Sequence, residues 1–248
     1  MELSEFFKQN PRIAVAFSGG VDSSYLLYAA KTAGCDVSAY FVKSQFQPEF
    51  EKSDAERLAD SVGVPLTVAE LDILDNPIIA ANPADRCYYC KAAILAKLSR
   101  LARADGFDVI CDGTNADDSQ DDRAGMRALQ ERGVISPLRE CGYTKAEIRA
   151  LSKKAGLFTH DKPSYACLAS RFPTGMPISS ELLEKTERAE NALFEMGFTD
   201  FRVRLLPGTI ARLQIPADQW DAAAARRAEL LAALQPEYSG VVLDMATR

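Results

Sequence analysis

The chain has 248 residues, 47% of them apolar and 26% charged, with a formal net charge of −6. That suits one large globular domain or two small ones and excludes a low-complexity or collagen-like chain. It has no run of about 18 apolar residues to serve as a membrane span. The N-terminus, MELSEFFKQNPR, has acidic residues and no apolar core of the kind a secretory leader needs, so the cytoplasm is the expected compartment. Residues 1–120 carry 11 Lys and Arg against 18 Asp and Glu, the remainder 18 against 17. This balance argues against a nucleic-acid partner, which would favour a basic surface.

In chain order, short runs rich in Val, Ile and Phe predict strands at 13–17, 37–42, 65–71, 109–113 and 133–137. Helices are predicted between them at 22–34, 49–62, 88–105 and 122–132. Such alternation with short connections predicts an α/β domain whose parallel sheet is covered on both faces. Thr144 and Glu147 form a capping box for a helix at 145–155, with Gly156 just past its end. Residues 157–179, with prolines at 163, 173 and 177, read as a long irregular loop or linker. Beyond it a helix at 180–196, strands at 201–206 and 210–215, a helix at 218–234 and a strand at 240–245 predict a smaller α+β domain. The helix at 180–196 carries Leu182, Leu183, Ala189, Leu193 and Phe194 on one face. The expected division is 1–160, a linker at 161–179, and 180–248.

The most informative turn is Ser18-Gly19-Gly20-Val21-Asp22-Ser23-Ser24, between the first strand and the first helix. Glycines allow close backbone approach, serine hydroxyls donate, and a helix N-terminus presents unpaired N–H groups at the positive end of its dipole. Together they make an anion cradle. The spacing is neither that of a Walker A loop nor of GxGxxG. A second polar turn, Asp112-Gly113-Thr114-Asn115-Ala116-Asp117-Asp118, follows the strand at 109–113.

These two segments resemble the SGGxDS signature and the GTNxDD segment of the PP-loop ATP pyrophosphatases. The resemblance implies an adenine nucleotide α-hydrolase-like fold and cleavage of ATP between its α- and β-phosphates. It places pyrophosphate on Ser18, Gly19, Gly20, Asp22, Ser23 and Ser24, and the nucleotide under Gly113, Thr114 and Asn115. Adenine would lie near Val42. Mg²⁺ would accompany ATP on Asp22 or Asp118.

Six cysteines are present, at 35, 87, 90, 111, 141 and 167, with a single histidine, His160. In a cytoplasmic setting they read as thiols, metal ligands or reactive groups, not a disulfide frame. Cys87-x-x-Cys90 by itself fits zinc, iron–sulfur or redox chemistry. Cys35, Cys111 and Cys141 read as packing residues. His160 reads as a packing or solvated residue, not a base.

Arg86-Cys87-Tyr88-Tyr89-Cys90-Lys91 and Pro163-Ser164-Tyr165-Ala166-Cys167-Leu168-Ala169-Ser170-Arg171 resemble the LarE sulfur transferases. That family acts on pyridinium-3,5-biscarboxylic acid mononucleotide, adenylating its carboxylates and converting them to thiocarboxylates. The resemblance implies a [4Fe-4S] cluster on Cys87, Cys90 and Cys167, with Cys167 and Asp22 as the catalytic residues. It further implies a sulfide donor and a homo-oligomer, a hexamer by that likeness, with no membrane partner. Arg202 and Arg204 alternate on one predicted strand and Arg212 lies on the next, a pattern that can gather guanidinium groups on a phosphate. Arg171 is a further candidate for the substrate or AMP. An acidic residue expected two places after Arg212 is instead Gln214. The competing readings are a tRNA thiolase of the same superfamily, a zinc-binding ATP pyrophosphatase, and a non-catalytic, nucleotide-regulated sulfur carrier.

Overall fold

The computed structural model describes residues 2–118 and 123–247. In chain order its elements are α1 (Leu3–Gln9), β1 (Arg12–Ala16), α2 (Val21–Thr32), β2 (Asp36–Lys43), α3 (Glu49–Val62), β3 (Leu66–Glu70), α4 (Pro77–Ala80), α5 (Arg86–Ala104), β4 (Val109–Asp112), α6 (Arg123–Glu131), α7 (Pro137–Glu140), α8 (Lys145–Lys154), α9 (Ser180–Glu195), β5 (Arg202–Leu206), β6 (Ile210–Gln214), α10 (Trp220–Ala225), α11 (Arg227–Leu234) and β7 (Gly240–Leu243). Short 3₁₀ turns occupy Phe158–Asp161, Leu168–Arg171 and Ala217–Gln219. Residue 122, the first of one expected helix, lies outside the described residues. The chain forms two compact units, one of residues 1–73 and 85–162, the other of 74–84 and 163–248.

In the first unit four parallel strands pair in the order β3-β2-β1-β4. β1 is central, and Ile13, Ala14 and Val15 are wholly buried. Strand side chains alternate between faces. Ile13, Val15, Ala39, Phe41 and Cys111 therefore join one core with residues of α1, α2, α3 and α8. Ala14, Tyr40, Val42 and Ile110 join another with α5 and α6. The doubly covered sheet is as the alternation predicts.

One expected strand of this unit is absent. Residues 133–137 form no strand; only a parallel bridge pairs Ile135 with Cys111. Pro137 has no N–H to extend a ladder and instead opens α7. The N-terminus, for which no element is predicted, is helical: Leu3, Phe6 and Phe7 bury one face, with a capping box between Glu2 and Glu5.

The second unit carries the sheet β5-β6-β7, antiparallel between β5 and β6 and parallel between β6 and β7. α9 packs on β5, burying Leu183, Ala189 and Leu193. Leu74–Ala84 belongs to this unit through its backbone: Gly175 N donates to Asn82 O at 2.7 Å and Ile178 N to Ala80 O at 2.8 Å. The single helix expected at 218–234 is a 3₁₀ turn and two helices. Arg226 leaves helical geometry (ψ 21°), and its guanidinium donates to Met196 O and Glu229.

Residues 163–179 are held in place by side-chain hydrogen bonds. Arg171 is wholly enclosed, its Nε 2.7 Å from Glu190 Oε1 and its Nη2 2.9 Å from Oε2. Tyr165 Oη and Val203 N also donate to Glu190, the latter at 2.8 Å. Arg171 Nη1 donates to Ala166 O and Ser170 Oγ, and the guanidinium lies 4.6 Å from the Tyr165 ring centroid. A buried carboxylate is tolerable only when paired and fully hydrogen-bonded. Here one glutamate of α9 gathers the cysteine-bearing segment and the start of the sheet. Glu190→Gln leaves the enclosed guanidinium without its counter-charge and should destabilise the protein by about 3–5 kcal/mol in urea denaturation.

Candidate functional site

Helix α2 starts directly after β1, at the carboxyl edge of the parallel sheet, where open α/β sheets bind ligands. Gly20 is its N-cap and supplies no side-chain cap. Gly19 takes φ +71°, a conformation that favours glycine, and a Cβ there would stand 3.2 Å from Glu51 O. Ser23 Oγ accepts from Ser18 N at 3.3 Å, lies 3.1 Å from Ser18 Oγ and donates to Gly20 O at 3.2 Å. These bonds fold the turn back on the helix start. Ser24 is wholly buried and its hydroxyl makes no hydrogen bond, so it belongs to the helix interior more than to the cradle.

β4 adjoins β1, so its following loop leaves the same sheet edge. A Cβ on Gly113 would lie 2.6 Å from Ser23 N and 2.9 Å from Ser23 Cα. The two turns are therefore in backbone-to-backbone contact. Asp112 accepts from Thr114 Oγ1 at 2.5 Å and from Ser136 Oγ at 2.6 Å, which occupies both its oxygens. Buried Asn115 accepts from the backbone N–H groups of Asp117 and Asp118. Asp118 is exposed and its Oδ2 accepts from Asn115 N at 2.9 Å.

Two lysines that the sequence did not single out stand at this site. Lys145 Nζ lies 2.5 Å from Asp22 Oδ2. The capping box explains how it arrives there: Thr144 caps α8 and Lys145 N donates to Asp117 Oδ2, so the first turn of α8 abuts the second loop. Lys162 Nζ lies 2.7 Å from Asp54 Oδ2 and 3.3 Å from Gly19 O. Nothing local in the sequence marks either lysine, since each contact spans more than 100 residues. Asp22 Oδ1 is buried without a hydrogen-bond partner among the described residues. A cation beside it would satisfy that atom, so the residues present fit a divalent ion. Val42 contributes its side chain to the core, which leaves only its main chain for a ligand.

Cys87 and Cys90 lie in the first turn of α5, where a three-residue separation puts them on one face. Cys87 is exposed, Cys90 half-buried, and neither is in a disulfide. Both belong to the first unit. Cys167 belongs to the second, half-buried at the N-cap of the Leu168–Arg171 turn. The residue types and the CxxC turn fit thiolate ligation of an iron–sulfur cluster. Among the described residues no three His, Cys, Asp or Glu form a ready metal-holding group. Cys35, Cys111 and Cys141 sit in apolar settings, and burial pushes all three thiols up. His160 Nδ1 lies 2.9 Å from Leu157 O, a local packing contact.

The antiparallel register sets Arg204 opposite Arg212 and Arg202 opposite Gln214, all on the sheet face turned away from Val203 and Leu213. Arg202 is buried and donates to Phe201 O and Ser164 O. Its donors and those of Arg171 hold the cysteine segment. Arg204 donates to Gln214 Oε1 and Ser170 O. Gln214 Nε2 donates to Asp244 Oδ2, which lies 3.4 Å from Arg212 Nε. Asp244, just past β7, is the carboxylate that meets both side chains.

A parallel sheet whose two adjoining loops form a glycine- and serine-lined cradle at a helix N-terminus defines a nucleotide-binding PP-loop domain. The asparagine synthase family model matches residues 7–151. An uncharacterised protein of Synechocystis is 38% identical over 88% of this chain and 81% of its own length. Pyridinium-3,5-bisthiocarboxylic acid mononucleotide synthase of Lactiplantibacillus plantarum is 33% identical over 84% of this chain and 76% of its own. The tRNA-specific 2-thiouridylase MnmA of Pseudothermotoga lettingae is 29% identical over 61% of this chain and 54% of its own. The chain belongs to the asparagine synthase family of PP-loop domains and, within it, to the LarE-type proteins.

Gly113→Ala forces a methyl group against the backbone of Ser23 and should cost about 1–3 kcal/mol in chemical denaturation. Gly20→Ala should cost less, because that residue has φ −82° and a Cβ there meets only Ser18 Oγ, at 3.4 Å.

Proposed function

We propose that the chain is an ATP-dependent sulfur transferase that converts the two carboxylates of pyridinium-3,5-biscarboxylic acid mononucleotide to thiocarboxylates, a step of nickel-pincer nucleotide cofactor synthesis. The observation that carries the reading is the contact of Gly113 with Ser23, which joins the two signature turns at one sheet edge. The likeness to the bisthiocarboxylic acid mononucleotide synthase supplies the substrate class.

A carboxylate is a poor acyl donor because its oxygen leaves badly. Attack of that oxygen on the α-phosphorus of ATP replaces the poor leaving group with AMP and expels pyrophosphate. The N–H groups at the start of α2 and the hydroxyls of Ser18 and Ser23 stabilise the departing pyrophosphate, aided by the helix dipole. Lys145 and Lys162 are the nearby cations. Mg²⁺, when bound with ATP, neutralises phosphate charge, and Asp22 is the carboxylate that fits it, ahead of Asp118, whose Oδ2 already accepts from Asn115. Sulfur then attacks the acyl carbon and AMP leaves.

Cys87, Cys90 and Cys167 are the residues that would hold a [4Fe-4S] cluster. Such a cluster would supply a transferable sulfide. Glu190, through Arg171, holds the turn that carries Cys167. Arg204 and Arg212 are the pair offered to the phosphate of the mononucleotide. In this reading the first unit is the ATP pyrophosphatase domain and the second binds substrate. The protein works in the cytoplasm as a homo-oligomer, a hexamer by family likeness, with sulfide from an external donor.

A second reading, tRNA thiolation, draws on the MnmA relatives, of whose length the chain spans about half. The net charge of −6 weighs against it. Tight tRNA binding at moderate salt would favour it over the mononucleotide.

Asp22→Ala should lower substrate-dependent pyrophosphate release on the order of 100-fold. Cys167→Ala should keep pyrophosphate release near the wild-type rate and make no thiocarboxylate; normal thiolation by that variant removes Cys167 from the reaction. In anaerobic assays with added sulfide, more than one thiocarboxylate per chain should accumulate, and a halt at one would mean that the protein consumes its own sulfur.

A further inference from the structure

The pair formed by Asp22 and Lys145 has an asymmetry that the nucleotide reading does not use. Lys145 Nζ meets Asp22 Oδ2 at 2.5 Å, with the lysine side chain 34% exposed and the aspartate 18%. The other oxygen, Oδ1, is buried and accepts from no group among the described residues. One half of the carboxylate is neutralised while the other half is desolvated without compensation, a state that favours a change of partner.

The two ends of the contact differ in freedom. Asp22 is the second residue of α2, in the turn that Gly113 clamps from above. Lys145 is the first residue of α8, its own backbone N–H fixed on Asp117 Oδ2 and its helix start fixed by the Thr144–Glu147 capping box. What remains mobile is the four-carbon stem of the lysine, part of which is in solvent. An anion held by the N–H groups of α2 would sit within the sweep of that stem.

We propose that Lys145 is an exchangeable counter-ion, a positioning residue that links metal binding to nucleotide binding. It rests on the reading of the α2 turn as an ATP site. With the cradle empty, Lys145 neutralises Asp22 and keeps a divalent cation off that carboxylate. With nucleotide bound, Lys145 moves to the phosphates, and both oxygens of Asp22 are released to Mg²⁺. Metal and nucleotide then bind with positive coupling, which by linkage is equal in both directions. Metal bound in the absence of ATP is disfavoured.

The test uses the full chain with Mn²⁺ alone, followed by electron paramagnetic resonance of the free ion. Lys145→Gln should bind Mn²⁺ without nucleotide about tenfold more tightly than wild type. Lys145→Arg, which keeps the charge, should match wild type. The gain should vanish when Asp22→Asn is added to Lys145→Gln. Lys145→Met serves as a second neutral variant if the glutamine variant does not fold. Affinity for α,β-methylene-ATP, by calorimetry, should fall several-fold in the neutral variants. Equal Mn²⁺ affinity in wild type and the neutral variants overturns the proposal, as does a gain that survives Asp22→Asn. Failure of wild type to bind the ATP analogue overturns the nucleotide reading instead, and the Mn²⁺ comparison still decides whether Lys145 guards Asp22.

Discussion

The first unit depends on a missing side chain. Gly113 brings the loop after β4 against the first turn of α2 so closely that a Cβ would meet Ser23 N at 2.6 Å. Strand order makes the two loops neighbours, but only glycine lets their backbones touch. Around this contact the polar groups are largely consumed locally. Asp112 is satisfied by Thr114 and Ser136, and Asn115 closes the Asx turn over Asp117 and Asp118. These are architectural bonds: they hold the loop in place beside the α2 N-terminus and Asp22.

The second unit depends on a buried charge. Glu190 draws donors from Arg171, Tyr165 and the backbone of Val203, and the segment bearing Cys167 is laid over them. Desolvating an ion pair rarely adds net stability, yet its directional bonds specify one arrangement of a segment with little regular structure. Arg202 and Arg204 add bonds to Ser164 O and Ser170 O on either side of the cysteine. Arginines that look like anion ligands in a sequence are here partly employed as struts. On the same face Arg212 meets Asp244.

Much of the molecule was readable because its signals are local. The apolar runs at β1 and β2, the capping box at Thr144 and the glycines after β1 each act within a few residues, and each appears where expected. The failures have local causes too. Pro137 forbids the fifth strand, Arg226 breaks the last long helix, and the Leu3, Phe6, Phe7 stripe was hidden in a short charged segment. The site was half readable. The two signature turns and the CxxC step could be found by pattern, whereas Lys145 and Lys162 could not, because each meets its loop across more than 100 residues.

The amino-acid sequence alone settled the doubly covered parallel sheet and, through the likeness of its motifs, the family. The sheet follows from periodicity and residue type and the family from motif likeness, all of them properties of short stretches. Only the tertiary structure decided which charges oppose one another. It set Lys145 on Asp22, Glu190 under Arg171, and Asp244 beside Arg212. Ion pairing depends on distance through space and on exclusion of water, and neither is defined until the chain has folded.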